Sequence, residues 1–235
     1  MQNRRYELPF DPDFFARRAA AGDRLPPIAA FRHAYAANLW TGPESKSGPG
    51  ASLDQTAAIR RFLPALCRQL GVRNLLDLPC GDFHWMATID LGSTQYIGAD
   101  LLPELVDANT GRYAQPGREF RVLNLMTSPL PVVDLLLCRD CFVHLSFSDI
   151  TRAIANIHAA RPTYLLTTTF PEQHVNDDIM TGDWRPLNLE AAPFHWPPPH
   201  EVLAEECTEA DGLFADKSLG LWRVDALPSS PTPAA

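Results

Sequence analysis

Apolar residues recur at helical spacing through the first part of the chain, up to about residue 71. They lie three or four positions apart, as at Ile59, Leu63, Leu66 and Leu70, which is the spacing of one buried helix face. Glycine, proline and polar residues bound each such stretch, as expected at helix ends. Helices are therefore predicted over residues 10–22, 26–40 and 52–71.

From residue 72 onward, short apolar runs alternate with amphipathic stretches. The runs lie at residues 72–78, 95–101, 119–125, 132–138 and 162–170. Helical candidates lie between them, near 83–90, 103–113 and 148–160. Apolar strands separated by helices are typical of a parallel sheet that is buried on both faces.

The last part of the chain has a different pattern. Residues 171–200 are polar and rich in proline, without periodicity. Two further strands follow at 201–209 and 218–227, and the segment between them is too short for a crossover helix. Strands joined in this way pair antiparallel, so a hairpin is predicted at the edge of the sheet.

Charge and cysteine content indicate which kinds of partner and which cellular location to expect. The 235 residues include 28 acidic and 20 basic side chains, for a net charge of -8, which disfavours binding to a nucleic-acid backbone. No apolar run approaches the roughly 20 residues that span a bilayer, and the first residues lack the apolar segment of a signal peptide. Five cysteines, an odd number, favour reduced thiols and a cytoplasmic location.

Polar residues cluster where the predicted strands end. In an open α/β sheet the ligand lies beyond the carboxyl ends of the strands. Asp100 ends the second run, where a carboxylate could chelate the two hydroxyls of a ribose, and Asn124 ends the third, where an amide could recognise an adenine edge. Together the strand ends predict a ligand that contains a nucleoside. The residues concerned are Asp77, Cys80, Gly81, Asp82, Asp100, Asn124, Arg139, Asp140 and His144.

These strand ends resemble those of the class I S-adenosylmethionine-dependent methyltransferases over residues 72–170. The similarity rests on DLPCGDF at 77–83, Asp100, Asn124 with Leu125, and DLLLC at 134–138. Longer pieces resemble one bacterial subgroup of that family: WTGPESKSG, DLPCGDFHWM, LCRDCFVHLSF, LLTTTF and TGDWRPLNL. Pro79 and Phe83 depart from the family pattern, which has glycines there, so only Gly81 keeps the conformational freedom of that turn.

The resemblance implies a Rossmann-like α/β fold. It has a mostly parallel sheet with helices on both faces, an antiparallel C-terminal hairpin and extra N-terminal helices. One methyltransferase domain is expected over residues 1–227. It comprises a helical cap over 1–71 and a core over 72–227, in which 171–200 form an acceptor loop. A disordered tail is expected over 228–235, because PSSPTPAA has nothing to bury.

The resemblance also implies S-adenosylmethionine as the methyl donor. Trp40, Ser47 and Gly48 are expected to close over its methionine end, and Asp77 to organise the turn beside its ammonium group. The complete set of expected donor contacts is Trp40, Ser47, Gly48, Asp77, Cys80, Gly81, Asp82, Asp100, Leu101, Asn124, Leu125 and Cys138.

The acceptor is predicted to be a small polar or anionic molecule with an oxygen or nitrogen nucleophile. His144 could take its proton, with Asp140 as the alternative base; a histidine that only hydrogen-bonds at a helix start is equally compatible with the pattern. Loops as long as 171–200 are usually lids or binding loops. The acceptor contacts are expected from Trp85, Arg139, Trp184, Arg185 and Asn188. Arg139 could bind either an anionic acceptor or the carboxylate of the donor.

Two other functions share parts of this pattern. A nicotinamide-dependent oxidoreductase would carry G-x-G-x-x-G after the first strand, which this chain lacks. A non-catalytic sensor or scaffold could keep the nucleoside pocket without an acceptor. Cys138 and Cys141 are spaced as a C-x-x-C, but no second pair completes a zinc site, so no metal is predicted. Cys138 is expected to line the adenosine pocket and Cys141 to pack in the core. The oligomeric state is not indicated by the sequence.

Overall fold

A computed structural model describes residues 10–42 and 44–228 of the chain. All but the first residue of the tail predicted at 228–235 therefore lies outside the described residues. None of the described helices is both long and apolar enough to cross a membrane.

A seven-stranded sheet forms the centre of the molecule, in the order β3-β2-β1-β4-β5-β7-β6. Strands β1 to β5 pair in parallel, and β7 runs antiparallel between β5 and β6. The predicted sheet and its C-terminal hairpin are thus confirmed. The strands are β1 (Asn74–Asp77), β2 (Gln95–Asp100), β3 (Arg118–Val122), β4 (Leu135–Cys138), β5 (Tyr164–Thr169), β6 (Glu201–Ala204) and β7 (Ser218–Arg223).

Helices cover both faces of this sheet, as predicted. The five α-helices of the described residues are α1 (Phe14–Ala20), α2 (Pro27–Ala37), α3 (Ala57–Gln69), α4 (Pro103–Tyr113) and α5 (Phe147–Ala160). Successive strand residues point to opposite faces: Leu75 packs in the apolar cluster that includes α3, whereas Leu76 packs in the cluster that includes α5. The apolar strand runs are therefore explained by burial on two sides.

The helix predicted near 83–90 is absent, and this prediction was wrong. The segment holds only a short 3-10 turn at Met86–Thr88. Phe83 has a φ of 59°, which a helix cannot continue through. Its ring packs against Tyr96, Tyr113 and Phe120 at centroid distances of 5.0–5.2 Å, so aromatic burial fixes this turn in place of helical hydrogen bonds.

Candidate functional site

A large cavity lies beyond the carboxyl ends of the parallel strands. It contains about 1110 Å³ of empty space, part of it open to solvent. Its floor comes from the residues that end β1, β2 and β4, and its roof from α2 and the loop that follows α2. The strand order reverses beside β1, which lies between β2 and β4, and ligands of open α/β sheets bind at such a reversal.

Most of the predicted site residues line this one cavity. From the expected donor set, these are Trp40, Ser47, Asp77, Cys80, Gly81, Asp82, Asp100, Leu101, Asn124 and Leu125. From the expected acceptor and base sets, they are Trp85, Arg139, Asp140 and His144. Residues as far apart in sequence as Trp40 and His144 therefore meet at the strand ends, as predicted.

The turn after β1 is held by the loop after α2 and by helix α4. Gly81 has a φ of 54°, and a Cβ there would lie 2.4 Å from Ser47 Oγ. The same Ser47 Oγ accepts a hydrogen bond from the amide of Asp82 at 3.3 Å, and Asn109 Nδ2 donates to the Gly81 carbonyl at 2.8 Å. The loop after α2 thus packs directly onto this turn, and the room left by Gly81 is occupied by Ser47.

Asp100 is fixed by backbone donors at the end of β2. Its Oδ1 accepts from the Leu102 amide at 3.0 Å, and its Oδ2 accepts from the Gly81 amide at 3.2 Å. Burial raises the pKa of Asp100 to about 6, so the carboxylate is mainly ionised at neutral pH. Each oxygen of a carboxylate can accept a further hydrogen bond, and both are oriented by the backbone beforehand.

Asp77 is the more deeply buried of the two strand-end carboxylates, at 2% exposure. Its Oδ2 accepts a hydrogen bond from the hydroxyl of Tyr96 at 2.6 Å. Burial raises the pKa of Asp77 to about 7, although the Tyr96 hydroxyl and the charge of Arg139 oppose the rise. A buried carboxylate of this kind is stabilised by a cationic group that enters the cavity.

Asn124 lines the cavity, but the oxygen of its side-chain amide already accepts a hydrogen bond. Its Oδ1 accepts from the amide of Met126 at 2.9 Å, and its own backbone amide donates to Ser128 Oγ at 2.9 Å. This is the local turn that asparagine commonly forms at a strand end. The side-chain oxygen is therefore a structural acceptor here, and recognition of a base edge would fall to Nδ2.

Arg139 and Asp140 belong to a buried network of charges. Arg139 donates from Nη2 to Glu205 Oε2 at 2.6 Å and to the Gly50 carbonyl at 2.9 Å, and its Nη1 lies 3.0 Å from Asp140 Oδ2. Lys217 Nζ donates to the same Asp140 oxygen at 2.9 Å. The guanidinium thus has its charge and its donors engaged within the protein, contrary to both expected roles, which were to bind an anionic acceptor or the carboxylate of the donor.

The prediction of Asp140 as the alternative base needs correction for the same reason. Although burial opposes ionisation, the charges of Arg139 and Lys217 hold the pKa of Asp140 well below its usual range. A carboxylate this weakly basic is a poor proton acceptor near neutral pH. His144 is then the better placed of the two predicted bases.

His144 combines the two interpretations that the sequence left open. It hydrogen-bonds in the turn before α5, where its Nδ1 lies 2.8 Å from the carbonyl oxygen of Asp183, and it also lines the cavity. A carbonyl only accepts, so the neutral ring carries its proton on Nδ1 and keeps Nε2 as an acceptor. Burial lowers the pKa of His144 to about 4, and the ring is neutral at pH 7.

Two of the expected donor contacts do not reach the cavity. Cys138 is completely buried in the core, contrary to its expected place at the adenosine pocket, whereas Cys141 packs in that core cluster as expected and also lines the cavity. The chain turns at Asp140, where φ is 49°, and this turn brings Cys141 round to the cavity. Gly48 lies behind Trp40: a Cβ on Gly48 would be 3.2 Å from the Cβ of Trp40.

The three acceptor residues expected from 171–200 also lie away from the cavity. Trp184 is 37% exposed and packs edge-on against Phe170 and Phe214. Asn188 is buried and donates to the carbonyls of Pro171 and Gln173. The segment is irregular as predicted, but its polar groups satisfy its own backbone, which an irregular buried segment requires.

Arg185 has a structural role that the sequence did not indicate. Its Nη1 donates to the Phe142 carbonyl at 2.7 Å and its Nη2 to the Leu145 carbonyl at 2.8 Å. The amide of Gly182 donates to the His144 carbonyl at 2.8 Å. Residues 181–185 therefore brace the turn that carries His144 and do not form a lid over the cavity.

Sequence reasoning expected N-terminal helices over the pocket but missed the residues of α2 that line the cavity. Phe31 and Tyr35 lie one helical turn apart on that helix and both line the cavity. Their spacing indicates a common face, but nothing in the sequence shows which surface that face covers. Other wall residues that were not predicted are Ala51, Leu78, Pro79, Leu102, Leu105, Leu123, Met126, Cys141 and Leu145. Within the described ranges, no group of three or more His, Cys, Asp and Glu side chains is placed to hold a metal ion.

Comparisons with known proteins show a likeness of fold to solved structures. No protein-family model and no curated protein matches the chain. Among solved structures, the methyltransferase domain of bacterial CtHen1-C matches with a TM-score of 0.53 at 14% identity, over 73% of this chain and 98% of that one. The PH0226 protein from Pyrococcus horikoshii OT3 matches with a TM-score of 0.51 at 14% identity, over 74% and 92%.

The likeness is one of fold. The chain spans 42% of a possible exported protein from Bordetella parapertussis, which matches 50% of this chain at 19% identity with a TM-score of 0.40. At such sequence identities, a shared fold does not show that two proteins act on the same substrate. The chain has the class I methyltransferase fold, with its cavity at the carboxyl edge of the sheet.

Proposed function

We propose that this protein is an S-adenosylmethionine-dependent methyltransferase that acts on an oxygen or nitrogen nucleophile of a small molecule. The observation that carries the proposal is the meeting of Asp77, Asp100 and His144 at one cavity on the carboxyl edge of the sheet. Two buried carboxylates and one neutral imidazole suit a ligand with a ribose, a cationic end and a neighbouring nucleophile.

The residues present fit the donor. Asp100, oriented by two backbone amides, would accept hydrogen bonds from the ribose hydroxyls. Leu101 and Leu125 would flank the base, with the Asn124 amide at its edge. The buried carboxylate of Asp77 would pair with the ammonium group. When bound, S-adenosylmethionine supplies a methyl group that is already activated by its sulfonium charge.

The protein's own contribution to the reaction is placement and proton removal. Holding two reactants in the correct orientation accounts for much of the rate of a displacement. Where the acceptor carries a proton, Nε2 of His144 receives it, because Nδ1 is bound to the Asp183 carbonyl. The buried setting lowers the pKa of this imidazole to about 4, so at physiological pH the ring is neutral and Nε2 carries no proton, although it is a weak base.

Asp100→Ala provides the sharpest test of the donor site. Hydrogen bonds to a charged group contribute about 1.5–3 kcal/mol, so calorimetry should show S-adenosylhomocysteine binding weakened by roughly 10-fold to 150-fold. The matched control is Asp107→Ala, which removes an exposed carboxylate of α4 and should leave affinity unchanged. NAD should not bind to the unmodified protein.

Two results would overturn the donor assignment. One is an affinity of Asp100→Ala for S-adenosylhomocysteine equal to that of the unmodified protein. The other is binding of NAD at this site, which would favour the oxidoreductase alternative. A protein that binds the donor but methylates none of a broad acceptor panel would favour the sensor or scaffold alternative.

A further inference from the structure

Aromatic rings surround His144 on the side of the cavity formed by α2 and the loop after it. The ring of Trp40 lies 4.7 Å from that of His144, centre to centre, and the ring of Phe31 lies edge-on at 6.5 Å. Tyr35 and Trp85 also line the cavity. We refer to Phe31, Trp40 and His144 together as the aromatic wall.

The charged groups next to the aromatic wall are compensated within the protein. Arg139 is paired with Glu205 and Asp140, and Asp140 also receives Lys217. Arg139 is therefore not available to pair with a carboxylate or phosphate on the acceptor. Asp140 is likewise not available to pair with a positively charged acceptor. His144, by contrast, lines the cavity beside these rings, and because its Nδ1 is engaged with the Asp183 carbonyl, Nε2 is the nitrogen left as an acceptor.

We infer, resting on the proposed function, that the acceptor is a flat aromatic molecule with a hydroxyl group on its ring, which packs on the aromatic wall and directs the hydroxyl to His144. In the transfer, a lone pair of the hydroxyl oxygen forms the new bond to the methyl carbon. The carbon–sulfur bond pair of the donor stays on sulfur, which becomes a neutral thioether. The hydroxyl proton passes to Nε2 of His144.

The acidity of the acceptor agrees with this choice. His144 is a weak base, because burial lowers its pKa to about 4. An aromatic hydroxyl has a pKa of about 10, whereas water, close to an aliphatic alcohol, has about 15.7. A weak base removes a proton from the more acidic hydroxyl with less difficulty. Aromatic pairs also add stabilisation beyond the area they bury.

The test compares two probes of the same skeleton, 2-naphthol and its saturated analogue decahydro-2-naphthol. Their affinities for the S-adenosylhomocysteine complex are measured by saturation-transfer NMR, with 6-hydroxy-2-naphthoate as an anionic third probe. We expect 2-naphthol to bind about tenfold tighter than either. Incubation with S-adenosylmethionine should also yield 2-methoxynaphthalene.

Variants locate the binding to the aromatic wall. Trp40→Leu and Phe31→Leu should each weaken 2-naphthol binding several-fold. Trp184→Leu is the matched control, because Trp184 packs on Phe170 and Phe214 outside the cavity, and it should leave the affinity unchanged. Circular dichroism confirms that each variant is folded before it is compared.

The inference fails if none of the probes binds, if the saturated or anionic probe binds as well as 2-naphthol, or if Trp184→Leu is the variant that loses binding. S-adenosylhomocysteine affinity is measured first, so the two proposals fail separately. A protein that does not bind S-adenosylhomocysteine contradicts the proposed function itself. One that binds it but does not distinguish the probes contradicts only the aromatic acceptor.

Discussion

Asp77 sits at the floor of the cavity with a single hydroxyl partner, Tyr96. In the unfolded chain an aspartate has a pKa of about 3.9, whereas burial raises the pKa of Asp77 to about 7 in the folded protein. The folded state therefore holds this proton more tightly. The stability linked to the protonated carboxyl is fully present below about pH 4 and is lost as pH rises through about 7.

Asp77→Asn should remove this pH dependence, because the amide has the same shape and no charge. Relative to the unmodified ligand-free protein, its free energy of unfolding should increase between pH 4.5 and pH 8, by at most about 4 kcal/mol. Urea denaturation at several pH values measures this. Asp107→Asn, at an exposed position, should show no such trend. A difference between Asp77→Asn and the unmodified protein that is constant or shrinks with pH would contradict the assignment.

Individual site residues were predictable where a strand ends and the chain must turn. Asp77, Gly81 and Asp100 were placed from the sequence because parallel strands end at one edge. Cys138 was expected at the cavity, but Cys141 lines it instead, because the chain turns at Asp140, whose positive φ is not evident from an aspartate in the sequence. Arg185 donates to backbone carbonyls, and the pattern of side chains in a sequence does not show which carbonyls an arginine will bind.

At the scale of elements, residues 181–185 and the turn at 142–145 behave as one unit. Arg185 donates to carbonyls on both sides of His144, and Gly182 donates to that of His144 itself. Hydrogen bonds from a charged donor contribute about 1.5–3 kcal/mol each. The position of the imidazole in the cavity thus depends on a segment that does not line the cavity.

Arg185→Met should therefore change the pKa of His144, although Arg185 itself does not line the cavity. Loss of the nearby positive charge and loosening of the turn both favour the protonated ring, so the pKa of His144 should rise from about 4 towards its ordinary value. Nitrogen-detected NMR titration follows this directly. Arg152→Met is the control, since Arg152 pairs with Asp149 on α5. An unchanged His144 titration in Arg185→Met would show that the segment does not brace the ring.

The elements themselves followed the hydrophobic pattern closely, with one exception. Strands buried on two faces and helices with one apolar face leave clear periodicities. The prediction for 83–90 was wrong because Phe83, Trp85 and Met86 resemble the apolar face of a helix in the sequence. All three are buried, but they lie in an irregular turn. Tertiary packing against β2, β3 and α4 decided that conformation.

At the scale of the whole molecule, distant parts of the chain close the cavity together. Arg139, just after β4, binds the Gly50 carbonyl in the N-terminal loop and Glu205 just after β6. Lys217, just before β7, joins the same network through Asp140. These partners lie 66 to 89 residues apart. Charge pairing at such separations has no local signature, so this closure could not be predicted from the sequence.

The central claim is that this cavity holds a methyl donor, and a crystal structure of the complex with S-adenosylhomocysteine tests it most directly. The predicted result is a ligand with its ribose hydroxyls on Asp100 and its amino group beside Asp77. Its base should lie against Leu101 and Leu125, with the sulfur facing the side of the cavity that carries His144. A ligand bound at another surface, or one in this cavity that makes no contact with Asp100, would contradict the account.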